Sequence, residues 1–165
     1  MKTFEIKTFA IEFDSIDELN KEDRMLLEKA KKAHKSAYAP YSQYYVGAAI
    51  LLDTGVVVTG NNQENVATPS GLCAERVAVF AASANYPGIP IKAIAITAHA
   101  KNFEITTPVT PCGACRQVLA EYEELYNSNI RTILMGETGK IYIIESISDL
   151  LPLMFHAKEL KKNKS

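Results

Sequence analysis

The order of elements predicts an α/β domain of three layers, an α/β/α sandwich whose mixed central sheet of about five strands is covered by helices on both faces. Three observations carry this. Helical stretches alternate with short apolar, β-branched runs, and crossovers through helices make the runs they join parallel. A content of 47% hydrophobic residues over 165 positions supplies one compact core, with no composition shift to mark a second. We divide the chain into an extension at 1–24, the main domain at 25–160 and a basic tail at 161–165.

Residues 4 to 13 partly alternate between apolar and polar, which reads as a strand or an extended arm ahead of the main domain. Asn20 can cap a helix in which Leu26, Leu27, Ala30, Ala33, His34 and Ala37 recur at helical spacing, and Pro40 stops it near Tyr38. Val46 to Leu52 is an apolar run, Asp53-Thr54-Gly55 supplies turn residues and Val56 to Thr59 is β-branched, which together predict a hairpin. The stretch Gly60 to Leu72 is a loop, and the alanine-rich Ala74 to Ala84 that follows Cys73 is a helix bounded by Asn85 and Pro87. Ile91 to Thr97 reads as a buried strand, Gly113 to Tyr126 as a helix, Arg131 to Met135 and Lys140 to Ile144 as strands, and Ile147 to Phe155 as a last helix that His156 continues.

Net charge is −1 and, apart from Lys158 to Lys164, the basic residues are scattered, which argues against a nucleic-acid partner and for a small-molecule substrate. Apolar runs fall far short of the roughly 18 residues that span a bilayer, and Met1-Lys2-Thr3-Phe4-Glu5 has no signal-peptide character, so a cytoplasmic location without membrane contact is expected. Three cysteines, two of them three residues apart, make a poor disulfide framework; a reducing compartment keeps their thiolates free for a metal.

Those cysteines hold the chemistry: Cys73-Ala74-Glu75-Arg76 opens one helix and Pro111-Cys112-Gly113-Ala114-Cys115-Arg116-Gln117 opens another. Two crossovers can bring both helix starts to one edge of the sheet. Cys112 and Cys115 then share one face of a first turn, and Cys73 adds a third sulfur. Zinc takes four tetrahedral partners, so three thiolates leave one position for water, the arrangement of a catalytic site. Glu75 stands two residues after Cys73, which on a continuous helix points it away. It faces the water only if Cys73 lies at the non-helical entrance and Glu75 in the first turn. Three thiolates on Zn²⁺ sum to −1, which calls for positive compensation from Arg76, Arg116 and two helix N-termini. A redox Cys-x-x-Cys pair, and a structural zinc closed by His34 or His99, are the alternatives the residues leave open.

The paired motifs closely resemble the nucleoside cytidine deaminases, in the three-cysteine branch of the zinc-dependent deaminases. The likeness runs from about Ala33 to Phe155 and takes in Tyr41-Ser42 with Val46-Gly47-Ala48-Ala49, the stretch Gly60 to Asn65, and Leu151-Pro152 with Phe155. It implies one zinc per subunit held by Cys73, Cys112 and Cys115, with Glu75 as the proton shuttle for hydrolytic removal of the cytosine C4 amine. It further implies that the Ala74 N–H holds the pyrimidine carbonyl, the Thr110 carbonyl accepts the exocyclic amine, and Asn62 and Glu64 grip the ribose 3′-hydroxyl. The resemblance also implies that Tyr44 is the aromatic beside base or sugar, where many relatives have phenylalanine, and that Phe155 reaches a neighbouring subunit's site in a homotetramer.

Thr68 departs from the pattern, since relatives carry a tyrosine there near the 5′-hydroxyl. The expected activity is deamination of cytidine and 2′-deoxycytidine in pyrimidine salvage. The alternatives are a deaminase of a modified cytosine nucleoside such as blasticidin S, which the Thr68 change favours, and a zinc-binding protein without catalysis.

Overall fold

A computed structural model describes residues 1–156. The basic run Lys158 to Lys164, the 161–165 tail and the last positions of the 25–160 domain lie outside the described residues.

Six strands form one mixed sheet rather than about five: β1 Ile11–Phe13, β2 Tyr44–Leu52, β3 Val57–Asn61, β4 Ile91–Ala100, β5 Arg131–Met135 and β6 Ile141–Ile144, in the order β1-β6-β5-β4-β2-β3. The additional strand is β1, the only part of the 4–13 stretch that pairs. Ile11, Glu12 and Phe13 lie antiparallel to Ile143, Tyr142 and Ile141, while residues 1–10 are exposed.

Alternation along each strand sends side chains to two cores. Ala48, Ile50 and Leu52 of β2 join Ile94, Ile96 and Leu134 beneath α2 (Ala74–Asn85) and α3 (Gly113–Tyr126). Ala49 and Leu51 face the other way, with Ala93, Ala95, Ile133 and Ile143, onto Leu26, Leu27 and Ala30 of α1 (Lys21–Ala33). Helices therefore cover both faces, as the three-layer expectation required.

Asn20 caps α1 by accepting the Asp23 N–H at 2.8 Å. The helix ends at Ala33, earlier than Pro40 alone predicts, and gives way to a 3-10 turn at His34–Ser36. Two contacts account for this. Gly47 of β2 lies so close beneath that an added Cβ would stand 2.1 Å from the Ala30 carbonyl oxygen. Tyr38 leaves the helical path to bond the loop beside the site, its N–H to the Asn62 carbonyl at 3.0 Å and its carbonyl from the Glu64 N–H at 2.8 Å.

The expected last helix, Ile147 to Phe155, is corrected to a 3-10 turn at Ile147–Leu150, and His156 lies in no helix. Ser146 gives the turn no cap; its hydroxyl bonds Glu123 Oε1 at 2.6 Å instead. Pro152 blocks continuation and Leu153 has φ of 59°, outside the right-handed helical region. Glu123, buried on α3, also accepts the Ile147 and Ile130 N–H groups, at 3.0 and 2.7 Å, and thereby holds the segment in its short form.

Site position follows from two crossovers. β3 leads through α2 to β4, and β4 through α3 to its parallel neighbour β5. Both helices therefore start at the edge of the sheet where β3 and β4 end, and the cysteine at each start meets the other across a sequence separation of 39.

Candidate active site

Each motif begins with its first cysteine outside the helix. Cys73 precedes α2 with extended backbone (φ −69°, ψ 154°) and Cys112 precedes α3 in nearly the same conformation (φ −66°, ψ 165°). Neither sulfur caps its own helix, so both are free to converge. Cys112 Sγ lies 3.5 Å from Cys115 Sγ and 3.9 Å from Cys73 Sγ, and all three sulfurs fall within 4.8 Å of one another. A tetrahedral zinc with bonds of about 2.3 Å spaces its sulfurs roughly 3.8 Å apart, so the three donors fit that ion. His34 and His99 are not in the cluster: His99 bonds Glu137 at 2.8 Å and stacks against His34 and Tyr45. Among the described residues, then, no histidine closes the site as a fourth ligand.

The electrostatics favour ionisation at Cys73. A hydrogen bond from Cys115, with others from Arg76 and Cys112, brings the Cys73 thiol down to about 5 against the effect of its burial. Cys115, fully buried, has its thiol pushed up by the proton it shares with Cys73, by burial and by the charge of Glu75. The Arg76 guanidinium stands 3.8 Å from Cys73 Sγ, while its Nε is buried without a partner among the described residues. Arg116 behaves differently from the compensating charge expected of it. Its guanidinium donates to the Pro111 carbonyl at 2.8 Å, the Leu150 carbonyl at 2.9 Å and the Thr110 hydroxyl at 3.4 Å, so it braces the loop before Cys112 rather than facing a sulfur.

Glu75 occupies the first turn of α2 at 4% exposure. Burial pushes its carboxyl above the ordinary carboxylate range, and the negative charge on Cys73 acts in the same direction. A buried carboxyl with a raised pKa beside three thiols keeps its proton to higher pH than an exposed one.

A cleft of about 670 Å³ opens over this cluster, lined by Glu75, Cys73 and Cys112 at its floor and by Tyr44, Asn62, Glu64 and Thr110 on its walls. Tyr44 is half-buried there and tilts against Phe103 at 6.4 Å; burial and then the Glu75 charge raise its hydroxyl's pKa. Asn62 is held at both ends of its amide, Oδ1 by the Val46 N–H at 2.8 Å and Nδ2 by the Tyr44 carbonyl at 2.9 Å. Glu64 Oε2 accepts the Tyr41 and Ser42 N–H groups at 2.8 and 3.3 Å, and Oε1 accepts the Ser42 hydroxyl. Burial alone would raise the Glu64 carboxyl, but these bonds outweigh it and hold the carboxyl below the ordinary value. Thr68 stands at the rim in a 3-10 turn, Thr68–Ser70. Ala74 is buried as the first residue of α2, a position whose N–H has no helical acceptor.

Phe155 is not in the cleft. It is 67% exposed on the outer side of α3, where Gln117 bonds its carbonyl and its N–H at 3.0 and 3.2 Å. Sequence reasoning assigned no role to Ser42, Phe103 or Glu123; only the Tyr41-Ser42 dipeptide gave a signal for any of them.

Residues 20–128 match the profile described as the cytidine and deoxycytidylate deaminase zinc-binding region. The chain belongs to this deaminase family. Among curated proteins it is 40% identical over 137 residues to a cytidine deaminase of Halalkalibacterium halodurans, covering 83% of this chain and 96% of that one. The crystal structure of a cytidine deaminase from Burkholderia pseudomallei superposes with a TM-score of 0.70 at 37% identity, over 83% of this chain and all of that one. Similarity to a blasticidin-S deaminase of Bacillus cereus is lower, 26% over 140 residues, spanning 83% of this chain and 94% of that one. The cofactor of this zinc-binding family is zinc, and the donors that fit it here are Cys73, Cys112 and Cys115.

Proposed function

We propose that this deaminase removes the C4 amine of cytidine and 2′-deoxycytidine by hydrolysis, giving uridine or 2′-deoxyuridine and ammonia. The observation that carries the reading is the buried Glu75 carboxyl beside three converging cysteines, at the floor of a cleft large enough for a nucleoside. Zinc held by Cys73, Cys112 and Cys115 supplies the Lewis acidity that makes water a nucleophile near neutral pH. Glu75 takes the proton from the attacking water, passes it to ring N3, and later carries a proton to the departing amine. Arg76 offsets part of the thiolate charge and Arg116 steadies the Cys112 loop. The Ala74 N–H and Thr110 carbonyl orient the base, and Tyr44 provides its aromatic wall.

Valence at the cleft wall supports a nucleoside over a free base. A carboxylate offers about four lone-pair sites, and three of those on Glu64 are engaged. The Asn62 amide has two of its bonds committed and keeps one N–H and one lone pair. One acceptor beside one donor matches a single hydroxyl, which donates once and accepts once. The 40% identity to a cytidine deaminase, against 26% to a blasticidin-S deaminase, favours the unmodified nucleoside.

The working form is a homotetramer in the cytoplasm, serving pyrimidine salvage. Its support is the exposed Phe155 together with Phe80, Val118 and Leu125, which line an apolar groove of about 520 Å³ on the outer side of α2 and α3. Among the described residues no helix is long and apolar enough to cross a membrane.

The test is loss of cytidine absorbance with parallel release of ammonia by the zinc-loaded protein, beside Glu75→Ala, repeated with 2′-deoxycytidine and blasticidin S. Turnover of the first two is expected. A zinc-loaded protein that turns over only blasticidin S, or nothing, overturns the reading. Light scattering at micromolar concentration is expected to give four times the chain mass.

A further inference from the structure

Ser42 stands between the residues that read the sugar and the aromatic wall. Its single hydroxyl proton goes to Glu64 Oε1, because a carboxylate has nothing to donate, and its lone pair accepts the Tyr44 N–H at 3.1 Å. The other end of Tyr44 is held by the second sugar residue, since Asn62 Nδ2 donates to the Tyr44 carbonyl at 2.9 Å. The chain from Asn62 to Glu64 completes a circuit through Glu64, Ser42, Tyr44 and Asn62, all of which line the same cleft. The Tyr44 carbonyl is thus tied directly to Asn62, and its N–H is linked to Glu64 through Ser42.

From this geometry we infer that Ser42 is a positioning residue that couples recognition of the sugar hydroxyl to the placement of the Tyr44 ring. The inference rests on the nucleoside deaminase reading. Bonds in series polarise one another, so a sugar hydroxyl that takes the free lone pair of Glu64 acts on Ser42 and, through it, on the Tyr44 backbone. Removing the Ser42 hydroxyl leaves Glu64 Oε1 and the Tyr44 N–H each without that partner. Sugar and base recognition then loosen together, although Ser42 touches neither Glu75 nor a cysteine in the described bonds.

The test compares Ser42→Ala with the parent on cytidine and on 3′-deoxycytidine. Loss of one charge-assisted bond is expected to raise KM for cytidine about tenfold and to shrink the kcat/KM preference for cytidine over 3′-deoxycytidine by a similar factor. The change in kcat should stay within about threefold, because no proton-transfer group is altered. Ser42→Thr, which keeps the hydroxyl, should restore the preference. In a Glu64→Gln background, Ser42→Ala should add little further effect, since the two act in one circuit.

A hydroxyl that only steadies the loop predicts the opposite pattern, with lowered thermal stability and the preference intact. A parent that discriminates between the two nucleosides while Ser42→Ala keeps the full preference overturns the inference and leaves the deaminase reading standing. Additive effects of Ser42→Ala and Glu64→Gln also overturn it. A zinc-loaded parent that does not act on cytidine overturns the deaminase reading, and this inference with it.

Discussion

At the start of α2 the side chains after the cysteine turn into the cleft, whereas at the start of α3 they turn back into the protein. The backbone entrances are nearly the same, with ψ of 154° at Cys73 and 165° at Cys112. Beyond them, Glu75 lines the cleft floor and Arg76 reaches Cys73, while Cys115 is fully buried and Arg116 binds loop carbonyls. One helix start thus places a buried carboxyl and a guanidinium at the cysteine cluster, and the other adds two sulfurs and a brace on the loop before them. A nearly identical entry conformation is thus given its chemistry by the two or three residues that follow it.

Removing a sulfur from the rigid start breaks the comparison most severely. Cys115→Ala leaves two donors where three converge, so zinc content should fall from about one per chain to near zero and turnover should vanish with it. Elemental analysis beside the ammonia assay reads both. At the other start, Glu75→Ala should keep the zinc and lose about 10²- to 10⁴-fold in kcat. Full activity in a zinc-replete Glu75→Ala protein would sink the assigned role.

Much of this site was legible in the chain because its spacing is short-range. A cysteine two residues before a glutamate and a Cys-x-x-Cys at a second helix start determine which side chains share a turn, and the structure starts the two helices directly after Cys73 and Cys112, as expected. Periodicity likewise located α2, α3 and five of the six strands to within a few residues. What remained hidden depends on contacts between distant segments. Arg116 looked equivalent to Arg76 because each follows a site residue, yet one of its partners is the Leu150 carbonyl, 34 positions away. The supposed last helix had adequate local pattern, but Glu123 takes hydrogen bonds from Ser146, Ile147 and Ser148, which ties its start to α3 instead. Ser42 carried no signal beyond its motif because its partner is 22 residues on.

A third change probes how each helix is seated. Gly60 of β3 lies directly under α2: a Cβ there would stand 2.5 Å from both the Ala74 carbonyl oxygen and the Ala78 nitrogen. Gly60→Ala must therefore push the start of α2 off the sheet. A loss of about 1–3 kcal/mol in unfolding free energy is expected from such overpacking, read by urea denaturation. Because Cys73 and Glu75 ride on that start, turnover should fall along with stability. Equal stability of Gly60→Ala and the parent would mean that α2 has slack the structure does not show.

The two arginines separate charge from bracing. Arg76 helps hold the Cys73 thiol down, so in the metal-free protein Arg76→Gln should move its ionisation upward from about 5. The sign follows directly: with a higher pKa, the thiolate is protonated at a higher pH, and protons displace zinc sooner as pH falls. The midpoint of zinc release on acid titration should therefore shift to higher pH in Arg76→Gln. Arg116→Gln should move that midpoint less while costing stability of about 1 kcal/mol, because its lost bonds go to carbonyls and a hydroxyl. Equal shifts for both variants would erase the distinction between the helix starts.

The smallest effect belongs to Gly113, the first residue of α3 and the counterpart of Ala74 on α2. An added Cβ at Gly113 meets nothing within 4 Å, and the residue is not among those with positive φ. Its backbone conformation is therefore open to any L residue, and the glycine contributes only freedom that the unfolded chain must lose. Replacing it by alanine, the residue α2 already uses there, should leave stability equal or raise it by about 0.4–1 kcal/mol. Measured beside Gly60→Ala, it asks whether a methyl group is costly because it lies near the metal cluster or because it meets backbone. If Gly113→Ala destabilises as much as Gly60→Ala, closeness to the cysteines governs, and the seating of α2 on Gly60 is no longer the explanation. If it does not, the second helix start is held by Arg116 and its sulfurs, with room to spare at its first turn.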